Sequence, residues 1–543
     1  MRKRIIYCLF SSKRLFIAYL AIAPVSAALE LGLAYNLSIA VDYAMNGQVS
    51  QVPIYAVAFI GYIIAELVIS YFCKRIRFLI IGYAMSKMKN DLMAVILSMD
   101  YLSYKKDNTA RYISELTVNA ERIRESLFEP ILRAYPMILQ FLVAMAALII
   151  MSPLMGIYVL GLTVVQLLIP ILMGKGINMR SEMHVHAVNS ETQVMKEAVE
   201  SFDTIRYFDL KEKMINYYNK ATDRTEKAWS SLKSYNSFSY ELSFAVGNAI
   251  YLGIFLIGAI YVLKGILKLS EVIAAAQLMV YIATPLTTLT TDIAEIKSVS
   301  KVINSMKVLL DRKVQVEGKL NCTAVNTGIS LNNVTFKYAD KCIFNEVSFN
   351  FEKGKKYVIV GESGEGKSTL VKLLMRLIVP NAGEIYLDNQ SVGDISTVDY
   401  AKLVSCVPQD PYLYNTSIRD NIALRNEVNS DLIWDVISKA GLKKFIGKND
   451  LGLETILGEK ANDISGGEAQ RIALARALVK KPEILIVDEG TSHLDEKTAK
   501  EIESRIFDLK NTMVIFITHV LREDIEKKAD AVIRICGEKL VSE

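Results

Sequence analysis

Gly361-Glu362-Ser363-Gly364-Glu365-Gly366-Lys367-Ser368-Thr369 follows an apolar run, Tyr357-Val358-Ile359-Val360, and leads into a segment of helical periodicity. Strand, glycine-rich loop and helix in that order make a phosphate-binding loop. The glycines let backbone N–H groups converge on phosphate oxygens, and the helix N-terminus adds the positive end of its dipole. In such a loop Lys367 reaches the β- and γ-phosphates, and Ser368 places a hydroxyl on Mg²⁺. A second run, Ile484-Leu485-Ile486-Val487, ends in Asp488-Glu489. An acid at a strand end beside the loop can hold Mg²⁺ through water, the role expected of Asp488, and Glu489 is then placed to polarise an attacking water as general base. A third run, Met513–Ile517, ends in Thr518-His519. An imidazole there could contact a γ-phosphate; taken alone, His519 reads as a packed strand-end histidine.

Another block precedes the Asp488 run. Ile464-Ser465-Gly466-Gly467-Glu468-Ala469-Gln470-Arg471 opens a helical pattern. Gly466 and Gly467 leave N–H groups exposed at its start, which makes a second anion site. Two anion sites at opposite ends of one domain meet a single phosphate only if two chains pair head to tail. From residue 312 onward short β-branched runs alternate with amphipathic helices, the pattern of an α/β domain with a mainly parallel sheet. The polar stretch 312–328 reads as a linker between residues 1–311 and 329–543.

Working back toward the N-terminus, the composition changes. Of 543 residues, 52% are hydrophobic and 22% charged, too apolar for a disordered chain. The apolar excess lies almost entirely before residue 290. Six runs there approach the ~20 residues that cross ~30 Å of hydrocarbon as a helix: Phe16–Val41, Pro53–Phe72, Ala134–Ser152, Leu154–Met173, Ser243–Val262 and Leu269–Leu289. The third and fourth are separated by Ser152-Pro153, a tight turn. Lys and Arg number five before the first run, eleven in 73–133 and ten in 174–241, against none in 42–51 and two, Lys264 and Lys268, in the last outer loop. The positive-inside rule then places both termini and both long loops in the cytoplasm. Each long loop keeps helical periodicity, so the spans are expected to continue into the cytosol and return. The net charge of +5 does not mark a nucleic-acid binder, and the six cysteines show no metal or disulfide spacing.

Two carboxylates lie inside spans, Glu30 and Glu66, about 18 Å and about 20 Å from the outer ends of their helices at 1.5 Å per residue. They read either as an acidic patch favouring cationic substrates or as hydrogen-bonded carboxyls packed between helices.

With these motifs in this order, the chain resembles ATP-binding cassette (ABC) transporters, specifically half-transporters of the exporter fold: six membrane helices followed by an α/β P-loop domain. The resemblance covers essentially the whole chain and implies ATP and Mg²⁺ as ligands. It implies that Tyr338 stacks on adenine and that Gln409, in Val407-Pro408-Gln409-Asp410, senses Mg²⁺ and the membrane domain. Ser465–Glu468 matches the signature motif, Ser492-His493-Leu494-Asp495 the D-loop, His519 the switch histidine and Leu457-Gly458-Glu459-Lys460 the exporter X-loop. Departures are Ile464 for the usual leucine, Glu468 for glutamine and His493 for a small residue. Coupling helices are expected near Thr117–Arg122 and Glu197–Arg206. The implied assembly is a homodimer, or a heterodimer with a second half-transporter, in a lipid bilayer. The implied activity is ATP-driven export of a peptide or amphipathic small molecule, with an importer of the same fold and a sensor without net transport as alternatives. Thr204-Ile205-Arg206-Tyr207-Phe208 is similar to a stretch of mitochondrial-type exporters of glutathione conjugates. A composition rich in Lys, Ile and Asn points to a low-GC bacterium, and the expected location is then the bacterial plasma membrane.

Overall fold

The computed structural model describes residues 7–312, 317–339, 341–362, 364–424, 426–447, 450–457, 464–491 and 495–542. They form two compact units, one of Met1–Leu97 with Asn108–Arg312 and the other of Ser98–Asp107 with Lys313–Glu543.

The first unit is helical: α1 (Lys13–Met45), α2 (Val52–Ser98), α4 (Thr109–Met151), α5 (Pro153–Glu200), α7 (Lys211–Leu263), α8 (Leu269–Leu278), α9 (Val280–Ser298) and α10 (Ser300–Leu310); short helices α3 (Tyr101–Lys105) and α6 (Phe202–Tyr207) stand at the reversals after α2 and α5. Among the described residues, five helices are long and apolar enough to cross a membrane. The sixth expected run is the pair α8–α9, interrupted at Met279 and carrying Pro285. The outer turn falls at Ser152-Pro153 because proline has no N–H to lose in a first turn and the Ser152 hydroxyl caps Met155 N. Leu31, Leu148, Met155, Ile250, Ile254 and Ile282 make a core from five helices. At Gly253 any Cβ would run into the Tyr158 ring, whose hydroxyl donates to Ala249 O at 2.7 Å, so the glycine is what lets α5 and α7 approach. Ile54, Val57, Ile60, Ile64 and Leu67 of α2 point outward and are exposed, as a helix facing lipid requires.

The first reversal differs from the expected place. Thr117–Arg122 lies within α4, where Glu115–Asn119 is π-helical, and the chain turns instead between 99 and 108, where Asp100 caps α3 and Asn108 caps the next helix. Both windows are polar and helix-forming, so periodicity cannot choose between them; the cap residues do. Segment Ser98–Asp107 clusters with the second unit. There Tyr101 packs against the apolar core and lies under the Lys372 ammonium, 5.7 Å from the ring centroid. The second reversal, at Ser201, falls inside the 197–206 window.

The second unit holds two sheets. Strands β1 (Gly328–Tyr338), β2 (Lys341–Glu352), β4 (Ala382–Leu387) and β5 (Gln390–Ser391) form an antiparallel sheet in the order β2-β1-β4-β5. Strands β3 (Lys356–Val360), β6 (Val404–Val407), β7 (Ile484–Asp488), β8 (Met513–Ile517), β9 (Ala531–Cys536) and β10 (Lys539–Ser542) form the other, in the order β10-β9-β3-β8-β7-β6, parallel except for β10. Its central strands are apolar throughout because both faces are covered. Ile359, Ile486 and Ile515 enter one core, while Val358, Leu485, Val487, Val514 and Phe516 enter the other. Each buried aliphatic side chain contributes about 1.5–3 kcal/mol. Pairing of Ile359 with Ile517, and of Ile517 with Asp488, brings the C-terminal ends of β3, β8 and β7 to one edge.

Candidate nucleotide site

That edge carries the phosphate loop, Glu489 and His519 on adjacent strand ends. Gly364 and Gly366 take φ of 91° and 110°, a region closed to side chains at low cost. At Gly366 a Cβ would also stand 2.7 Å from Ile343 Cγ2. Helix α11 (Lys367–Leu374) starts directly behind them. Lys367 is buried, and its ammonium donates to Gly361 O and Glu362 O at 2.7 Å each. An ammonium has three donors, so one remains for a phosphate oxygen. Burial pushes its pKa down, against the pull of Glu489, Glu365 and Asp488. Glu365 plays a local part that the motif did not reveal: its Oε2 accepts from Glu362 N at 2.6 Å and braces the loop. Ser368 is exposed in the first turn and Thr369 is buried. Ser363 lies outside the described residues.

Asp488 ends β7 in burial, and its Oδ1 has no hydrogen-bond partner. Burial, then the charge of Glu489, pushes its pKa up to about 6. A buried, unpartnered carboxylate oxygen, with a serine hydroxyl on the loop and the Gln409 amide on the neighbouring Glu489 as further oxygen donors, suits a hard cation such as Mg²⁺, which takes oxygen ligands. The residues therefore fit the metal.

Glu489 sits at φ 51°, a strained conformation for a residue with a side chain. Its N–H donates to Ile517 O at 3.0 Å. The turn presents its carboxylate to two side chains. His519 Nε2 stands 2.6 Å from Oε1, and Gln409 Nε2 donates to Oε2 at 2.8 Å. The three residues that the sequence placed in three separate motifs thus meet around one carboxylate. Gln470, which sequence reasoning passed over, joins them: its Nε2 reaches Gln409 O at 3.4 Å and Glu489 O at 3.3 Å. The available signal was an amide side chain on the otherwise apolar buried face of a helix.

That helix, α12 (Gly466–Leu478), begins with a reciprocal capping box: Glu468 N donates to Ser465 Oγ at 3.3 Å and Ser465 N to Glu468 Oε2 at 3.0 Å. Glutamate serves this box as well as glutamine, which accounts for the departure at 468. Gly466 is exposed and Gly467 buried. Tyr338, at the end of β1, is half-buried with its ring edge-on to Phe336 at 4.8 Å. Asp495 caps helix α13 (Glu496–Phe507) through Thr498 N at 2.9 Å, a bond that also lowers its pKa. Gly458, Glu459 and Lys460 of the X-loop and Ser492, His493 and Leu494 of the D-loop lie outside the described residues.

Two family profiles match this arrangement. That of the ABC transporter transmembrane region covers residues 15–286, half of the chain, and that of the ABC transporter covers residues 344–492. The chain belongs to the ABC transporter family. It is a multi-pass membrane protein of the half-transporter kind, with a helical exporter-type unit followed by a cassette. Relatives of this transporter include the human mitochondrial iron-sulfur clusters transporter ABCB7, 30% identical over 370 residues that cover 65% of this chain and 48% of the relative. The mitochondrial iron-sulfur clusters transporter ATM1 of Kluyveromyces lactis is 32% identical over 356 residues, covering 62% and 48%. ABC transporter B family member 1 of Dictyostelium discoideum is 25% identical over 455 residues, covering 82% and 50%. The transporter's matches thus span about half the length of these relatives. In structure it is similar to a bacterial Atm1-family ABC exporter with ATP bound, at a TM-score of 0.80 and 21% identity, covering 98% of this chain and 95% of that one.

Proposed function

We propose that the chain is one half of a dimeric, ATP-driven exporter, with residues 1–311 as the membrane domain, 312–328 as linker and 329–543 as the ATP-hydrolysing cassette. The observation that carries this reading is the carboxylate of Glu489 held by His519 on one oxygen and Gln409 on the other. A carboxylate so oriented, at the mouth of a phosphate loop, can accept a proton from a water aimed at the terminal phosphate. Lys367, the backbone N–H groups of 361–369 and the α11 N-terminus bind the phosphates, and Tyr338 offers a face to adenine. Ser368, Gln409 and Asp488 are the residues that would hold Mg²⁺; when bound, the ion neutralises charge on the phosphate oxygens. His519 hydrogen-bonds the terminal phosphate and returns to Glu489.

The signature residues Ser465, Gly466, Gly467 and Glu468, together with Asp495, close the site on the ATP of a second copy or of a related half. Because ATP binds the closed dimer better than the open one, binding shifts the membrane domains toward the outward state and hydrolysis releases them. The cargo we assign is a peptide or amphipathic small molecule moved from the cytoplasm across a bacterial plasma membrane. The names of the mitochondrial relatives add iron-sulfur cluster compounds to the cargoes to be tried.

The test is the ATPase rate of the chain purified into lipid nanodiscs, with Glu489→Gln as blank, followed by ATP-dependent uptake of labelled candidates into inside-out vesicles. A rate well above the blank and cargo-dependent uptake support the reading. Uptake only into right-side-out vesicles would make it an importer, and a substrate-modulated rate without flux a sensor.

A further inference from the structure

The segments that carry Glu489 and His519 are joined a second time, behind the reacting groups, by a carboxylate that no cassette motif uses. Helix α13 turns Ala499, Ile502, Ile506 and Phe507 into the core, and Glu503 lies on this same buried face at 4% exposure. Its Oε1 accepts from Thr491 Oγ1 at 2.6 Å and its Oε2 from Arg522 Nη1 at 2.8 Å. Thr491 is buried and follows Glu489 by two residues; Arg522 follows His519 by three.

A charge on an apolar helix face opposes folding unless hydrogen bonds repay it, and an apolar residue of similar volume often serves stability as well or better. Helix α13 has other anchors, namely its Asp495 cap and four apolar side chains. What the carboxylate adds is geometry. One planar group takes an O–H from the segment after Glu489 and an N–H from the segment after His519, each on its own oxygen. β7 and β8 are paired as far as Asp488 and Ile517, and the Glu489 N–H adds a bond to Ile517 O; the Glu503 carboxylate ties together the segments that run on beyond these bonds.

We propose that Glu503 is a positioning residue for ATP hydrolysis, clamping the 489–491 and 519–522 segments together so that His519 and Glu489 stay in contact. This deepens the hydrolysis reading above and rests on it.

The test uses the full chain in nanodiscs with Glu503→Gln, Arg522→Gln and the double variant, whose two amides can pair with each other. Two readouts are taken, steady-state ATPase kinetics and hydrogen exchange of peptides covering 489–495, 518–522 and 496–507. Each single variant is expected to lower kcat about tenfold, as a small misplacement of catalytic groups does, with KM for ATP within about twofold of the original. Exchange is expected to rise together in 489–495 and 518–522 but not in α13, and the double variant is expected to recover most of both effects. Wild-type kcat in both single variants, or a loss without rescue and with faster exchange confined to α13, would overturn the clamp. If the unmodified chain shows no Glu489-dependent hydrolysis, the hydrolysis reading fails by itself. Exchange then decides the clamp alone, a joint rise supporting it and a rise confined to α13 overturning it.

Discussion

His519 Nε2 and Glu489 Oε1 are 2.6 Å apart although 30 residues separate them, and Gln409 holds the opposite carboxylate oxygen at 2.8 Å. The imidazole and the amide fix the plane of the carboxylate, which is the orientation the proposed general base requires. Glu489→Gln keeps the shape and removes the basicity. It is expected to reduce kcat for ATP by about 10²–10⁴-fold while nucleotide still binds. Phosphate release and a fluorescent-ATP titration on the same sample measure the two quantities; an unchanged rate would remove Glu489 from the mechanism.

Lys367 holds two loop carbonyls at 2.7 Å and supplies the loop's positive charge. A hydrogen bond to a charged group contributes about 1.5–3 kcal/mol, so Lys367→Ala is expected to weaken ATP binding by roughly 10- to 150-fold. Fluorescent-nucleotide titration reads this directly, and an affinity within threefold of the original would contradict it.

In the membrane unit Arg133 of α4 binds Asp292 of α9, with Nη2 to Oδ1 at 2.5 Å and Nε to Oδ2 at 3.4 Å. The Asp292 side chain is only 3% exposed. Removing one member of a buried pair strands the other, at a cost of about 3–5 kcal/mol. Arg133→Ala should therefore lower the thermal midpoint in nanodiscs more than Arg133→Leu/Asp292→Leu does. Equal losses in both variants would show that packing of the arginine stem, and not the charge, is what counts.

Asp388 fastens residues 326–328 to the β4–β5 turn. Its carboxylate accepts from the N–H groups of Asn326, Thr327 and Gly328 and from the Thr327 hydroxyl, at 2.7–3.1 Å. Burial raises its pKa, but these bonds outweigh burial and hold it below the usual carboxylate range. A depressed pKa means that the stabilisation is present above the unfolded value of about 3.9 and fades as pH falls through the native one. Asp388→Ala is expected to cost about 1.5 kcal/mol at neutral pH, a few degrees of the cassette's midpoint. The gap between variant and original should close progressively below about pH 4. A gap that widened with acid would contradict the assignment.

Inside the membrane unit, Glu30 is hydrogen-bonded to two neighbouring helices. Its Oε2 accepts from Gln140, and its Oε1 receives the Ser70 hydroxyl at 3.4 Å. The sequence could place Glu30 and Glu66 at similar depth because rise per residue is constant, but not assign partners, since Gln140 is 110 residues from Glu30. The turn at 99–108 was hidden for a different reason: polar helical periodicity continues through it, and only the Asp100 and Asn108 caps, each a short local bond, mark the break.

The sequence by itself determined the two-part organisation and the phosphate loop. Membrane spans follow from runs of apolar residues, and the loop from nine consecutive residues between a strand and a helix. Both are properties of neighbours along the chain. Only the tertiary structure decided which side chains work together. Glu489, His519 and Gln409 meet because parallel pairing of β3, β8, β7 and β6 stacks strand ends from distant parts of the chain along one edge, and Gln470 reaches them from α12. Glu503 reaches the segments after both Glu489 and His519 because its carboxylate lies on the buried face of α13. A sheet's register is set by the burial of whole faces, so contacts across it are invisible to any reading confined to a window of sequence.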